Sequence, residues 1–233
     1  MPVLAPFLPQ HIPGAVALSR AEGWPHRPED WALIQSLSRG VVALQDGQVV
    51  GTAMATIFGT VGMMNMIIVG DSMRGQGLGR ALMDAAMAQA QPQEWRLVAT
   101  ESGLPLYRKL GFIQTDRVLQ HQGLVAPMAA PQGVAWAGDL DAIAAIDRTA
   151  TGADRGALIA ALARAGRLAV LRDAQGIAGY AALRPFGRGE VAGPVVARNA
   201  EQAQALLAFL LADRAGQFIR VDIPESSGLA PWL

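Results

Sequence analysis

The chain has 233 residues, 52% of them hydrophobic and 16% charged, and its 19 Lys+Arg balance 19 Asp+Glu for a formal net charge of zero. That composition excludes a disordered chain and lacks the basic surplus with which a nucleic-acid binder neutralises phosphates. Cysteine is absent, which excludes a disulfide scaffold, a thiolate nucleophile and any thiolate metal site.

In chain order the pattern predicts a strand over about 2–6, a helix over about 12–22 and a second helix beginning after residues 28–30. Residues 41–55 read as two short strands joined by an Asp-Gly turn, a strong hairpin signal. A buried strand over about 62–69, a glycine loop and a helix over about 78–90 follow. A strand over 95–100, a short helix over 104–110 and a terminal strand pair over 112–122 complete this part. Alternating strands and helices give an α/β class built on a mixed sheet. Trp31, Ile34 and Leu37 stand at helical spacing and read as core rather than as an aromatic platform.

A second hairpin pattern follows over 168–182, where Gly179 matches Gly51 at an offset of 128. Residues 218–226 match 95–102, with Glu225 on Glu101 at an offset of 124. Two diverged copies of one unit explain the length. Residues 123–133, rich in Gly and Pro, break every period, so the cut falls near 130 and gives domains over 1–130 and 131–233. The end of the second copy aligns with Gly103 onward in the first, so this copy reads as incomplete: either the chain is truncated or the second half leans on the first to finish its sheet. Apolar runs fall short of the roughly 20 residues of a membrane span, and no Lys or Arg precedes the N-terminal apolar stretch. A soluble, cytoplasmic protein with no membrane partner is expected. His11, His26 and His121 are scattered, with no pair on one helix face, so no metal site is expected.

The sharpest local signal is the apolar strand ending Ile67-Ile-Val69, followed by Arg74-Gly-Gln-Gly-Leu-Gly-Arg80 opening onto a helix. Glycines at 75, 77 and 79 let the backbone approach a ligand, and the helix start beyond supplies free N–H donors and a positive dipole end, which suits a pyrophosphate. Arg74 and Arg80 add charge. A Rossmann fingerprint fails because position 80 is arginine, and a Walker loop fails because the one lysine, Lys109, lies elsewhere.

The run Arg74-Gly-Gln-Gly-Leu-Gly-Arg-Ala-Leu82, with Pro105-Leu-Tyr-Arg-Lys-Leu-Gly-Phe112 after it, resembles the GNAT superfamily of acyl-CoA-dependent N-acetyltransferases. The two-copy arrangement resembles its tandem subgroup, which includes holothin acyltransferase-like proteins. The resemblance implies that Arg74, Gly77 and Gly79 wrap the coenzyme A pyrophosphate, with Gly75, Gln76, Leu78 and Arg80 donating backbone contacts. It implies that the strand end, Ile67, Ile68 and Val69, bonds the pantetheine arm, an N–H of Ile68 or Val69 polarising the thioester carbonyl. Tyr107 would protonate the departing thiolate. Thr100 stands where the family usually has asparagine, which places one cofactor contact on a hydroxyl.

An alkylammonium must lose its proton before it attacks a thioester. The acid–base candidates are Glu22, His26, Asp71, Glu101, Asp116 and His121, and the segment holding Glu22, Trp24 and His26 lies where the superfamily walls its acceptor pocket. In the second copy no glycine follows the matching strand until 216, and Glu201 would repel a phosphate, so that copy is expected to be degenerate. Its expected task is to buttress the acceptor cleft, with Arg155, Arg184 or Asp222 supplying contacts. The expectation is an acetyl-CoA-dependent N-acetyltransferase acting on the primary amine of a small molecule by direct transfer in a ternary complex. No covalent nucleophile is evident. The alternative is a noncatalytic acyl-CoA-binding sensor, and a homodimer is compatible with either.

Overall fold

The computed structural model describes residues 2–233 and divides into two compact units, Met1–Ile113 and Gln114–Leu233. The first contains β1 (Val3–Pro6), α1 (Ile12–Ala21), α2 (Pro28–Leu37), β2 (Ser38–Gln45), β3 (Gln48–Phe58), β4 (Val61–Val69), α3 (Leu78–Met87), β5 (Glu94–Leu97) and α4 (Leu104–Lys109). The sheet runs β1-β2-β3-β4-β5, antiparallel except for the β4–β5 pair. Asp46 (φ 51°) and Gly47 (φ 76°) form the tight turn between β2 and β3, the conformation that an Asp-Gly pair favours.

Both faces of this sheet are covered, so its central strands are apolar in continuous runs rather than in alternation. On one face Phe7, Trp31, Val42, Met54, Met66 and Ile68 form a core beneath α1 and α2. Trp31 is fully buried, stacks on Phe7 at 5.6 Å and donates its indole N–H to Ser19 Oγ at 3.0 Å, which ties α2 to α1. It is a core residue, as its spacing predicts. On the other face Leu78, Leu82, Met83 and Ala86 of α3 pack with Tyr107 against Val41, Ala53 and Met64. A Cβ on Gly51 would lie 2.8 Å from Leu82 Cδ1, so glycine there lets α3 approach β3.

The second unit contains β6 (Val118–Leu124), β7 (Val134–Trp136), α5 (Leu140–Thr151), α6 (Gly156–Ala165), β8 (Arg167–Asp173), β9 (Gly176–Phe186), β10 (Gly189–Val196), α7 (Ala200–Leu211) and β11 (Phe218–Pro224), with sheet order β6-β11-β10-β9-β8-β7. The plan repeats: α5 and α6 cover one face through Ile143, Ile159 and Leu162, and α7 covers the other through Leu206, Leu207 and Leu210. A Cβ on Gly179 would lie 3.1 Å from Leu206 Cδ1, the counterpart of Gly51 and Leu82. Fully buried Asp147 accepts the Tyr180 hydroxyl and both arms of Arg155, so each of its oxygens is hydrogen-bonded.

The terminal strand pair expected over 112–122 is a single strand, β6, with no strand over 112–117, and β6 does not close the first copy. β6 pairs antiparallel with β11 along seven residues, from Val118 opposite Pro224 to Leu124 opposite Phe218. The units accordingly divide after residue 113, ahead of the cut drawn at 130. Sequence alternation marks a segment as a strand but carries no information on which sheet edge receives it. With β6 in place, β11 has a neighbour on each side.

Candidate active site

The first unit's site begins with a strand that loses its neighbour. β4 pairs with β5 only over Val61–Met64, and the residues 65–69 run on past the end of β5. At the parting point Met66 takes φ 49° and the β3–β4 register shifts between Thr52 and Met54, a bulge that Thr52 Oγ1 fixes by donating to the Met66 carbonyl at 2.8 Å. Beyond it Ile68 faces Thr52 and Val69 faces Gly51, while the Gly70 N–H donates to the Val50 carbonyl at 2.9 Å. Antiparallel pairs alternate between hydrogen-bonded and non-hydrogen-bonded. The Gly70–Val50 bond therefore puts Ile68 in the next bonded pair and turns the Val69 N–H away from β3, toward the open edge. Of the two backbone groups expected from sequence, the ladder occupies Ile68 and leaves Val69.

The glycine loop follows directly. Gly75 (φ 75°) and Gly77 (φ 80°) take left-handed backbone, where a side chain is strained. A Cβ at either would meet no protein atom within 4 Å, so the space before them is open. Gly77 precedes α3, whose start has no side-chain cap, which leaves the Leu78, Gly79 and Arg80 N–H groups at a positive dipole end. Gln76 Nε2 donates to the Ser72 carbonyl at 2.9 Å and steadies the loop. A Cβ on Gly79 would lie 3.2 Å from Leu106 Cδ2 and 3.6 Å from Val69 Cγ2, so the start of α3, the end of β4 and α4 converge on this glycine.

Tyr107 on α4 is 7% exposed and shares its apolar cluster with Ile67, Val69 and Leu78. Its ring meets Phe112 edge-on at 6.2 Å and crosses Gly103, where a Cβ would be 2.6 Å from Tyr107 Cε2. Burial raises the phenol above its ordinary value, which holds the proton on Oη at neutral pH. Thr100 lies in the turn before α4, its hydroxyl 3.1 Å from that of Ser102.

Arg74 is held by three groups. Its Nε donates to the Val69 carbonyl at 3.3 Å, Nη1 lies 2.8 Å from Asp71 Oδ1, and Nη2 pairs with Glu22 Oε1 from the end of α1. Glu22, Trp24 and His26 share the turn between α1 and α2, with the Trp24 and His26 rings 5.7 Å apart. The Arg80 side chain points along α3 to Asp84 at 3.4 Å.

Two family models, each described as an acetyltransferase (GNAT) domain, match residues 36–114 and 143–233, one in each unit. The chain is a tandem of two GNAT acetyltransferase domains. It is 26% identical over 226 residues to a Bacillus subtilis protein named as an uncharacterized N-acetyltransferase, YitH, covering 93% of this chain and 80% of that protein. Solved structures that share the fold include the following two. One, an acetyltransferase candidate from Pyrococcus horikoshii, gives a TM-score of 0.82 at 21% identity over 99% of this chain and 82% of its own. The other, a tandem GNAT protein from the clavulanic acid biosynthesis pathway, gives 0.62 at 15% identity over 97% and 90%.

The second GNAT domain differs where the first has its loop. From Gly179 to Leu206 the chain is four residues shorter than from Gly51 to Leu82. Asn199 caps α7, its side chain accepting the Gln202 N–H at 2.9 Å, so a carboxamide oxygen takes the place an anion would need. Asp116 and His121 belong to this domain, Asp116 bonded to the Ser226 hydroxyl and His121 on β6. Arg155 is engaged by Asp147 and Asp222 by Arg220. Arg184 donates to the Pro185 carbonyl at 3.1 Å. Sequence reasoning missed the Met66 bulge, because methionine does not announce a positive φ, and the Glu22–Arg74 pair, which joins residues 52 positions apart.

Proposed function

We propose that the first GNAT domain is an acetyl-CoA-dependent N-acetyltransferase that acts on the primary amine of a small molecule by direct transfer in a ternary complex. The observation that supports it best is the convergence on Gly79 of an uncapped helix start, the free strand edge at Val69 and the helix carrying Tyr107. Acetyl-CoA, when bound, supplies the activated acyl group. The residues fit such a group: left-handed Gly75 and Gly77 front open space, and the first N–H groups of α3 offer donors to a pyrophosphate.

The Val69 N–H, turned to the open edge, is the donor toward which a thioester oxygen would be directed, a preorganised hydrogen bond of the kind that assists acyl transfer. Tyr107 retains its proton at neutral pH and is the acid for a departing thiolate. Holding the amine and the acyl carbon in line supplies much of the remaining acceleration. The second domain has a capped helix in place of the loop and is proposed to bind no cofactor.

Calorimetric titration with acetyl-CoA tests the site. Micromolar binding by the native chain, lost in Gly77→Glu, is the expected result, followed by thiol release that depends on an added amine. Tyr107→Phe should keep the affinity and lose about a hundredfold in turnover. Absence of binding to the native chain would overturn the reading, and binding without amine-dependent turnover would favour a sensor.

A further inference from the structure

The three guanidinium nitrogens of Arg74 are all engaged, two of them by carboxylates. One positive charge facing Asp71 and Glu22 leaves this cluster net negative, a poor start for a residue beside a loop suited to phosphate. An oxygen of a pyrophosphate that reaches Arg74 must displace one of its partners. Asp71 lies on the same loop with its side chain 81% exposed, and its link to Arg74 is local. Glu22 is different: its side chain is 22% exposed, and it comes from the end of α1. The turn that bears it is folded tightly, with the Gly23 N–H donating to the Arg20 carbonyl at 3.0 Å and the Trp24 N–H to the Ser19 carbonyl at 2.8 Å. The Glu22–Arg74 pair thus clips the turn carrying Trp24 and His26 to the loop carrying Gly75 and Gly77.

We propose that Glu22 is a positioning residue that locks the α1–α2 turn to the glycine loop until a pyrophosphate takes Arg74 from it. This rests on the reading of the loop as a coenzyme A site. Release of Glu22 frees the turn and leaves on it an uncompensated carboxylate, the charge that attracts an amine arriving as an ammonium ion. The same competition sets a cost on cofactor binding: while Glu22 holds Arg74, part of the attraction of Arg74 for phosphate is already satisfied.

The test uses coenzyme A on the full chain. Calorimetry on the native protein and Glu22→Gln should show the variant binding about two- to fivefold more tightly, the range of a partly exposed ion pair, with the gap narrowing at high salt. Hydrogen exchange supplies a readout that a merely structural carboxylate would not produce. In the native protein coenzyme A should slow exchange over residues 70–80 and accelerate it over 20–27. In Glu22→Gln the turn should exchange fast from the start and respond no further, while Glu22→Asp should restore part of the native response. Unchanged or weaker binding by Glu22→Gln overturns the proposal, as does a native turn that coenzyme A leaves unaltered or slows. If the native chain binds no coenzyme A, the cofactor reading itself fails and this proposal falls with it.

Discussion

Tyr107 and Tyr180 are the two tyrosines of the chain, and both are buried in cores. Burial raises Tyr107, and Tyr180 is raised further because it also donates to the Asp147 carboxylate, which a phenolate would repel. In the unfolded chain both titrate near the ordinary value of about 10. A folded-state value above the unfolded one confers stability that is complete below about pH 10 and is lost as pH rises beyond it, since the unfolded chain ionises first. Alkaline titration should therefore show tyrosinate absorbance delayed past pH 10 and rising together with loss of circular dichroism; phenolate appearing at pH 10 in a chain that keeps its native spectrum would contradict this. The place of Tyr107 on a short helix was legible from a motif resembling a known one, but its depth was not: it is buried in the cluster against which Leu106 and Leu110 pack. At the strand edge the sequence reading offered Ile68 or Val69 without a choice between them. Choosing Val69 over Ile68 depends on hydrogen-bond phase, and the phase is set by a bulge at a methionine.

At the scale of elements, the same bulge decides where β4 points after β5 leaves it. Thr52 is fully buried and its hydroxyl is spent on the Met66 carbonyl. Thr52→Val preserves shape and removes that hydrogen bond, so it should destabilise the protein by about 1 kcal/mol in urea unfolding. It should also lower acyl transfer more than acetyl-CoA affinity, because the loop and the start of α3 do not depend on it. Equal losses in both would show that the bulge serves folding alone. The hairpins, the glycine loop and the amphipathic α3 were readable from turn chemistry and period, which are local. The bulge was not, since it results from two strands of different path sharing one ladder.

The whole molecule turns on where the chain changes sheets. Residues 123–133 have the Gly- and Pro-rich composition of a linker, yet the units separate earlier, after residue 113. Leu119, Val125 and Met128, all before the cut read from sequence, pack against the core built on Leu206, Leu207 and Leu210. β11 presents Ile219, Val221 and Ile223 to that core and bonds β6 along its full length. A fragment of residues 114–233 keeps the six-stranded sheet, whereas one of residues 131–233 lacks β6, exposes the backbone edge of β11 and loses three apolar contributors to the core. Unpaired apolar edges favour association between chains. The longer fragment should be soluble and unfold cooperatively; the shorter should aggregate or show no cooperative transition. Equal unfolding midpoints for the two would mean that β6 is an accessory strand, and that the repeat seen in sequence is also the unit that folds.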